Sequence, residues 1–189
     1  MSENTLAVKN MVCPRCIMVV ESLLNQLNIE YEEVRLGEIK LKQPIKTQVK
    51  ELLEKEIEKL GFEVLNDKKT QMIERIKNAI VHMVHHQENP EMIGHLSEQL
   101  PPLLNTGYST LSKLFSEVEG VTIEKYLILQ KIEKAKEFIV YDELSLSEIS
   151  YRLNYSSVQH FSKQFKSVTG MTPSAFKTQR EERKSLNDI

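Results

Sequence analysis

The 189-residue chain is predicted to fold as an α+β N-terminal part followed by an all-α C-terminal part. Three observations carry this. Up to about residue 68, short β-compatible segments alternate with two stretches of helical periodicity. Beyond that point only helical periodicity remains. The C-terminal part also repeats itself at a shift of 50 positions. Leu111-Ser-Lys-Leu-Phe115 falls on Phe161-Ser-Lys-Gln-Phe165, and Gly120-Val-Thr falls on Gly170-Met-Thr. Tyr126 falls on Phe176 and Leu96-Ser-Glu on Leu146-Ser-Glu, the register of a duplicated unit.

Composition bounds the classes open to the chain. Its length suits one large domain or two small ones. Apolar residues at 40% and charged ones at 28% describe an ordinary soluble protein. No apolar run approaches the roughly 18 residues a membrane span needs. The start, Met1-Ser-Glu-Asn, has neither the basic region nor the apolar core of a signal peptide, so a cytoplasmic chain with no membrane partner is expected. The net charge is −2. Between Ser150 and Lys184, however, Arg152, Lys163, Lys166, Lys177, Arg180, Arg183 and Lys184 face only Glu181 and Glu182, and that excess of positive charge suits phosphate.

The first segment, Leu6-Ala-Val-Lys, is short and β-compatible. Ile17, Val20, Leu24 and Leu27 then recur at helical spacing, with Pro14 in the first turn, where its missing N–H costs nothing. Tyr31-Glu-Glu-Val-Arg and Glu38-Ile-Lys-Leu flank Leu36-Gly37 as two strands and a tight turn. Val49, Leu52, Leu53, Ile57 and Leu60 form a second helix stopped by Gly61 at the C-cap, and Phe62-Glu-Val-Leu is a last strand. The order βαββαβ is that of a ferredoxin-like sandwich of helices on an antiparallel sheet.

With Met11-x-Cys13-x-x-Cys16 at the first strand-to-helix turn and Leu60-Gly-Phe-Glu-Val64 near the end, residues 5–66 resemble the heavy-metal-associated (HMA) domain. That resemblance implies a soft metal, usually Cu(I), held by Cys13 and Cys16. Asn10 stands where the family usually has glycine, and the two central strands are short. The chemistry of the pair agrees with it. Both sulfurs converge on a helix N-terminus, whose dipole favours thiolates. Soft thiolates select Cu(I), which accepts two ligands, whereas the alternative, Zn, normally wants four. Cys-Pro-x-Cys also occurs in glutaredoxin-like redox proteins, but the cis-proline strand and glycine pair those need are absent from the sequence. Two ordinary packed cysteines are the plain alternative. No base lies near the thiols in sequence, so an enzyme is not expected.

From Thr70, the stripe Ile73, Ile76, Ile80 and Met83 predicts a helix with no flexible spacer before it, joining the two parts. In His82-Met-Val-His85-His86, with His95 beyond, the i, i+4 pair has ligand spacing, but with no Glu between the two and no nearby Cys a solvated or packed histidine face is expected. Asn89-Pro90 reads as a helix start, and Pro101-Pro102 as its early end. The next helix would turn Tyr108, Ser109, Ser112 and Lys113 outward. A long helix from Thr122 to Val140 follows, spanning roughly 30 Å.

The sharpest local pattern comes last. Ser145 and Glu148 form a capping box, Ile149 and Leu153 an apolar stripe, and Asn154 tolerates the left-handed stop. Ser156 can cap a further helix with Phe161 and Phe165 inward. That is a helix-turn-helix, and it places Ser157, Val158, Gln159, Ser162 and Lys163 on the face that would enter a DNA major groove.

In Tyr155, Ser156, Phe161-Ser-Lys, Phe165-Lys, Thr169-Gly170-Met-Thr-Pro173, Phe176-Lys177 and Lys134-Ala-Lys-Glu, residues 78–180 resemble the AraC-type (AraC/XylS) transcription regulators. The resemblance implies double-stranded DNA as partner, bound by helix-turn-helix units near 90–120 and 145–170. It also brings in RNA polymerase and a second copy of the chain as partners. Lys131, Lys163 and Lys177 stand where the family usually has Arg, so Lys163, Lys166 and Lys177 would meet phosphates as point charges. The organisation expected is thus a sensor domain (1–68), a joining helix (69–88), a DNA-binding domain (78–180) and a tail (181–189).

Overall fold

The structure, a computed structural model, describes residues 4–86, 89–90 and 93–181. Arg183, Lys184 and the rest of the expected tail beyond residue 181 lie outside the described residues, as do the side chains of Arg180 and Glu181. The chain divides into two compact units, Met1–Ala79 and Ile80–Ile189.

The first unit runs β1 (Thr5–Lys9), α1 (Pro14–Gln26), β2 (Tyr31–Arg35), β3 (Glu38–Leu41), α2 (Thr47–Lys59) and β4 (Glu63–Leu65), the order expected from the sequence. The strands form one antiparallel sheet in the order β2-β3-β1-β4. Period-two alternation turns Val8, Val34, Ile39 and Leu41 inward, against Val20 and Leu24 of α1 and Leu53 and Ile57 of α2. Gly37 makes the β2–β3 turn with φ +78, and a Cβ there would overlap the Asn78 amide. The α2 stripe is narrower than expected: Leu52 and Leu60 are exposed. Leu53 and Ile57, four apart, already fill the space over the sheet. Leu60 is itself the C-cap, so Gly61 (φ +84) comes one residue later than expected.

α3 (Lys68–His85) begins two residues before Thr70, because the Asp67 carboxylate accepts from the Thr70 N–H (2.8 Å) and hydroxyl (2.9 Å). Those two bonds hold Asp67 below its ordinary pKa. Ile73, Ile76, Ile80 and Met83 are buried as the stripe requires. The division between the units falls within this helix.

The second unit is helical: α4 (Leu96–Leu104), α5 (Tyr108–Glu119), α6 (Ile123–Tyr141), α7 (Leu146–Arg152), α8 (Val158–Thr169) and α9 (Pro173–Glu181). Two expectations about α4 are corrected. It does not start at Asn89-Pro90, where the Pro90 carbonyl accepts from the Ile93 N–H (2.9 Å); the helix begins after His95. Nor do Pro101 and Pro102 end it, for both lie inside. Leu96, Leu100 and Leu104 are all buried at i, i+4 spacing. At about 1.5–3 kcal/mol each, their burial is comparable with two interior prolines at about 3 kcal/mol apiece. The carbonyls that lose donors belong to Ser97 and Glu98, both exposed to water.

The duplication is visible in three dimensions. Phe115 packs edge-on to Tyr126 with ring centroids 5.5 Å apart, and Phe165 to Phe176 at 5.6 Å. α5 and α8 both end in a left-handed glycine, Gly120 and Gly170. Before these helices the offset is 49, not 50. The left-handed turn residues are Asn105 (φ 50) and Asn154 (φ 51), and the buried pairs Leu100/Leu104 match Ile149/Leu153. Matching Leu96-Ser-Glu to Leu146-Ser-Glu is therefore one residue out of register. The second turn holds one residue more than the first.

Candidate nucleic-acid interface and thiol pair

α7 is set by its capping box. Ser145 N–H donates to Glu148 Oε2 (2.8 Å), and Glu148 N–H donates back to Ser145 Oγ (3.2 Å). Ile149 and Leu153 are buried, and the chain leaves the helix through Asn154. The Asn154 side-chain amide donates to the Ile93 carbonyl (2.7 Å), while Lys131 Nζ donates to the Asn154 carbonyl (3.4 Å). The turn is thus tied from both sides.

The cap of α8 is Ser157, not Ser156. Ser157 Oγ accepts from His160 N–H (3.1 Å), and Ser156 Oγ meets His160 Nδ1 (3.1 Å). The longer turn moves the helix start on by one residue. Two consequences follow. Ser157, expected to face a base, spends its hydroxyl on the cap. Gln159 becomes the second helical residue, where it cannot close a capping box.

Phe161 and Phe165 are fully buried, with ring centroids 5.8 Å apart. They seat α8 so that Gln159, Lys163 and Lys166 are exposed, with Val158 and Ser162 half-buried beside them. Lys177 is not open in the same way, since it pairs with Asp142.

In the first repeat Ser109 and Lys113 are exposed and Ser112 half-buried, on the face expected. Tyr108 is half-buried instead: its phenol donates to Glu124. Burial and that carboxylate push the phenol far above its ordinary pKa, while the bond holds Glu124 below its own.

Sequence reasoning missed what lies beneath the second turn. Lys131 is 7% exposed, and its Nζ stands 5.0 Å from the Tyr155 ring centroid. Burial draws its pKa down to about 8. The Tyr155 hydroxyl is buried with no hydrogen-bond partner among the described residues, and burial pushes it up to about 12. The available signal was a lysine on the inner face of an apolar helix, between Leu127 and Ala135.

At the other site Cys13 is the N-cap of α1, Pro14 its first residue and Cys16 in its first turn. The sulfurs lie 3.3 Å apart, and the Cys16 thiol is the main cause of a lowered Cys13 pKa. Asn10, in the place of the expected glycine, has φ 71 and anchors its side chain on the Gly61 carbonyl (3.0 Å). Met11 is fully buried in the core. His82 and His86 have ring centroids 5.9 Å apart, and half-buried His85 meets Gln130 (3.2 Å). Among the described residues no three or more His, Cys, Asp or Glu gather as a metal site, and no helix is long and apolar enough to cross a membrane.

Residues 103–179 match the helix-turn-helix domain family. Over 99 residues the chain is 30% identical to the xylose operon regulatory protein of Escherichia coli (strain K12), covering 52% of this chain and 25% of that protein. Over 129 residues it is 28% identical to the urease operon transcriptional activator of Escherichia coli, covering 68% of this chain and 42% of that one. A transcriptional regulator from Chromobacterium violaceum, described with AraC-type DNA-binding domain-containing proteins, shares the fold. Its crystal structure superposes with a TM-score of 0.51 at 16% identity, covering 61% of this chain and 96% of that one. The chain spans less than half the length of both sequence relatives. The C-terminal part of the chain thus carries a helix-turn-helix domain over residues 103–179.

Proposed function

We propose that the chain is a sequence-specific DNA-binding transcription regulator. The observation that carries this is α8: a helix seated by two buried phenylalanines, presenting Gln159, Ser162, Lys163 and Lys166 from a turn held by Lys131 and Asn154. Gln159 reads a base edge, Val158 touches a thymine methyl, and Lys163 and Lys166 meet phosphates. RNA polymerase is the partner through which occupancy changes transcription. Selection from random duplex DNA with the purified chain tests the reading. A recovered consensus supports it, and no enrichment over many rounds defeats it.

The 3.3 Å approach of Cys13 Sγ to Cys16 Sγ favours a sensing role for the first unit. Its βαββαβ order and β2-β3-β1-β4 sheet suit a ferredoxin-like, HMA-like fold. Two soft sulfurs with no cluster of further ligands among the described residues suit Cu(I) better than Zn. Competition for Cu(I) against a chelator should show one ion per native chain and none for Cys13→Ser/Cys16→Ser. Equal binding by both would remove the metal from the reading.

A further inference from the structure

Building on the DNA-binding reading, we propose that the duplex is gripped through the second helix-turn-helix, while the first presents an acidic face that stands off the phosphates. The two repeats have nearly the same backbone plan but opposite charge. Leu96–Lys125 carries Glu98, Glu117, Glu119 and Glu124 against Lys113 and Lys125. The corresponding window, residues 145–175 with the extra turn residue, carries Glu148 against Arg152, Lys163 and Lys166. Formal charge is thus −2 in one and +2 in the other. The lone acid of the second window is occupied in the capping box of α7.

Position by position the contrast is sharper. Lys166 is matched by Ser116, Ser167 by Glu117 and Ser174 by Glu124. Arg152 is matched, at the offset of 49 that holds before the turn, by Leu103, which is 54% exposed. The one shared lysine, Lys113, has Glu117 Oε1 4.0 Å away. At the N-terminal end of α5, where a recognition helix leads into the groove, Tyr108 is bound to Glu124. That bond helps keep the carboxyl ionised. Its counterpart in the second repeat is Val158 with Ser174, which brings no charge.

A phosphate backbone carries one charge about every 1.7 Å of duplex axis, and screening sets in only over roughly 8–10 Å. Ionised carboxylates at the tip and along the outer face of α5 therefore oppose close seating. α8 has lysines in the corresponding region and gains counterion release.

The test uses the full chain and a duplex it selects from a random pool, mapped by hydroxyl-radical cleavage. Protection is expected over about one helical turn, roughly 10 bp. Lys163→Ala and Lys166→Ala should each weaken binding several-fold and lower the slope of log affinity against log salt by about one. Ser109→Ala and Lys113→Ala should each change affinity less than about twofold. Glu117→Ser/Glu124→Ser, which gives the first repeat the residues of the second, should lengthen the protected stretch and steepen the salt dependence. Native protection of two successive major grooves, with Lys113→Ala as costly as Lys163→Ala, would overturn the proposal and leave DNA binding intact. Recovery of no sequence from the pool would defeat both together.

Discussion

At Lys131 a charge is kept where few residues tolerate one. Burial disfavours its ammonium, and the Tyr155 ring and Asn154 carbonyl offset part of that cost. Its folded pKa is about 8 against an ordinary 10.5. Between those values the unfolded chain holds the proton and the folded chain has released it, so stability rises with pH across that window. Below pH 8 both states are charged and the full penalty is present. Urea unfolding of the native chain and Lys131→Met should therefore converge or cross as pH rises from 7 to 9.5, the native chain gaining at most about 2 kcal/mol on the variant. A gap that stays constant would place Lys131 in water. The upper limit matters because Tyr155 has the opposite sign: raised to about 12, it contributes stability that is lost above pH 10. Gln159 is the other residue whose role is separable. Since Ser157 and not Ser156 caps α8, Gln159→Ala removes no cap. It should lose discrimination at a single base pair, by about 1–3 kcal/mol, in binding to single-base variants of the selected site. Uniform weakening on every variant would exclude base readout.

Elements were legible wherever one signal dominated. The box at Ser145 and Glu148, the left-handed Asn154 and the paired phenylalanines each fixed their place in the second repeat, because each has a single local solution. α4 was not legible: proline chemistry argued for a stop, while three leucines that bury only in the assembled unit held the helix together. The same competition makes a prediction. Pro102 is exposed and withholds a donor from Glu98, so Pro102→Ala should restore that bond and stabilise the chain by about 1–3 kcal/mol in urea unfolding. A loss of stability would mean that the proline ring itself packs something essential. The start of α8 shows another limit. Two adjacent serines can both cap, and only the length of the turn, set by Tyr155 packing on Phe161, decides between them. The charge contrast between the repeats lay in the sequence all along, but it acquired meaning only once Tyr108 was found bound to Glu124.

For the molecule as a whole the question is whether Cys13 and Cys16 speak to α8. The thiols stand at the N-terminus of α1, and the Cys13 thiol is already eased toward thiolate by Cys16. α3 runs unbroken through the division between the two units, so a change felt by its first half has a continuous helix to follow. If Cys13 and Cys16 hold Cu(I) as proposed, coupling requires that the metal-bound and metal-free forms of the first unit favour different states of the second, and such couplings are typically about 1–3 kcal/mol, or some 5–150-fold in affinity. Linkage fixes one relation whatever the sign: if Cu(I) tightens DNA binding by a given factor, DNA tightens Cu(I) binding by the same factor. The measurement is a titration of the selected duplex under strictly reducing conditions, with and without one equivalent of Cu(I), for the native chain and for Cys13→Ser/Cys16→Ser. We expect the native chain alone to shift. Four equal affinities would separate the thiols from DNA binding. A shift that follows oxidation and is absent with Cu(I) would instead identify a Cys13–Cys16 disulfide as the signal, formed by closing a gap of 3.3 Å between sulfurs already in contact.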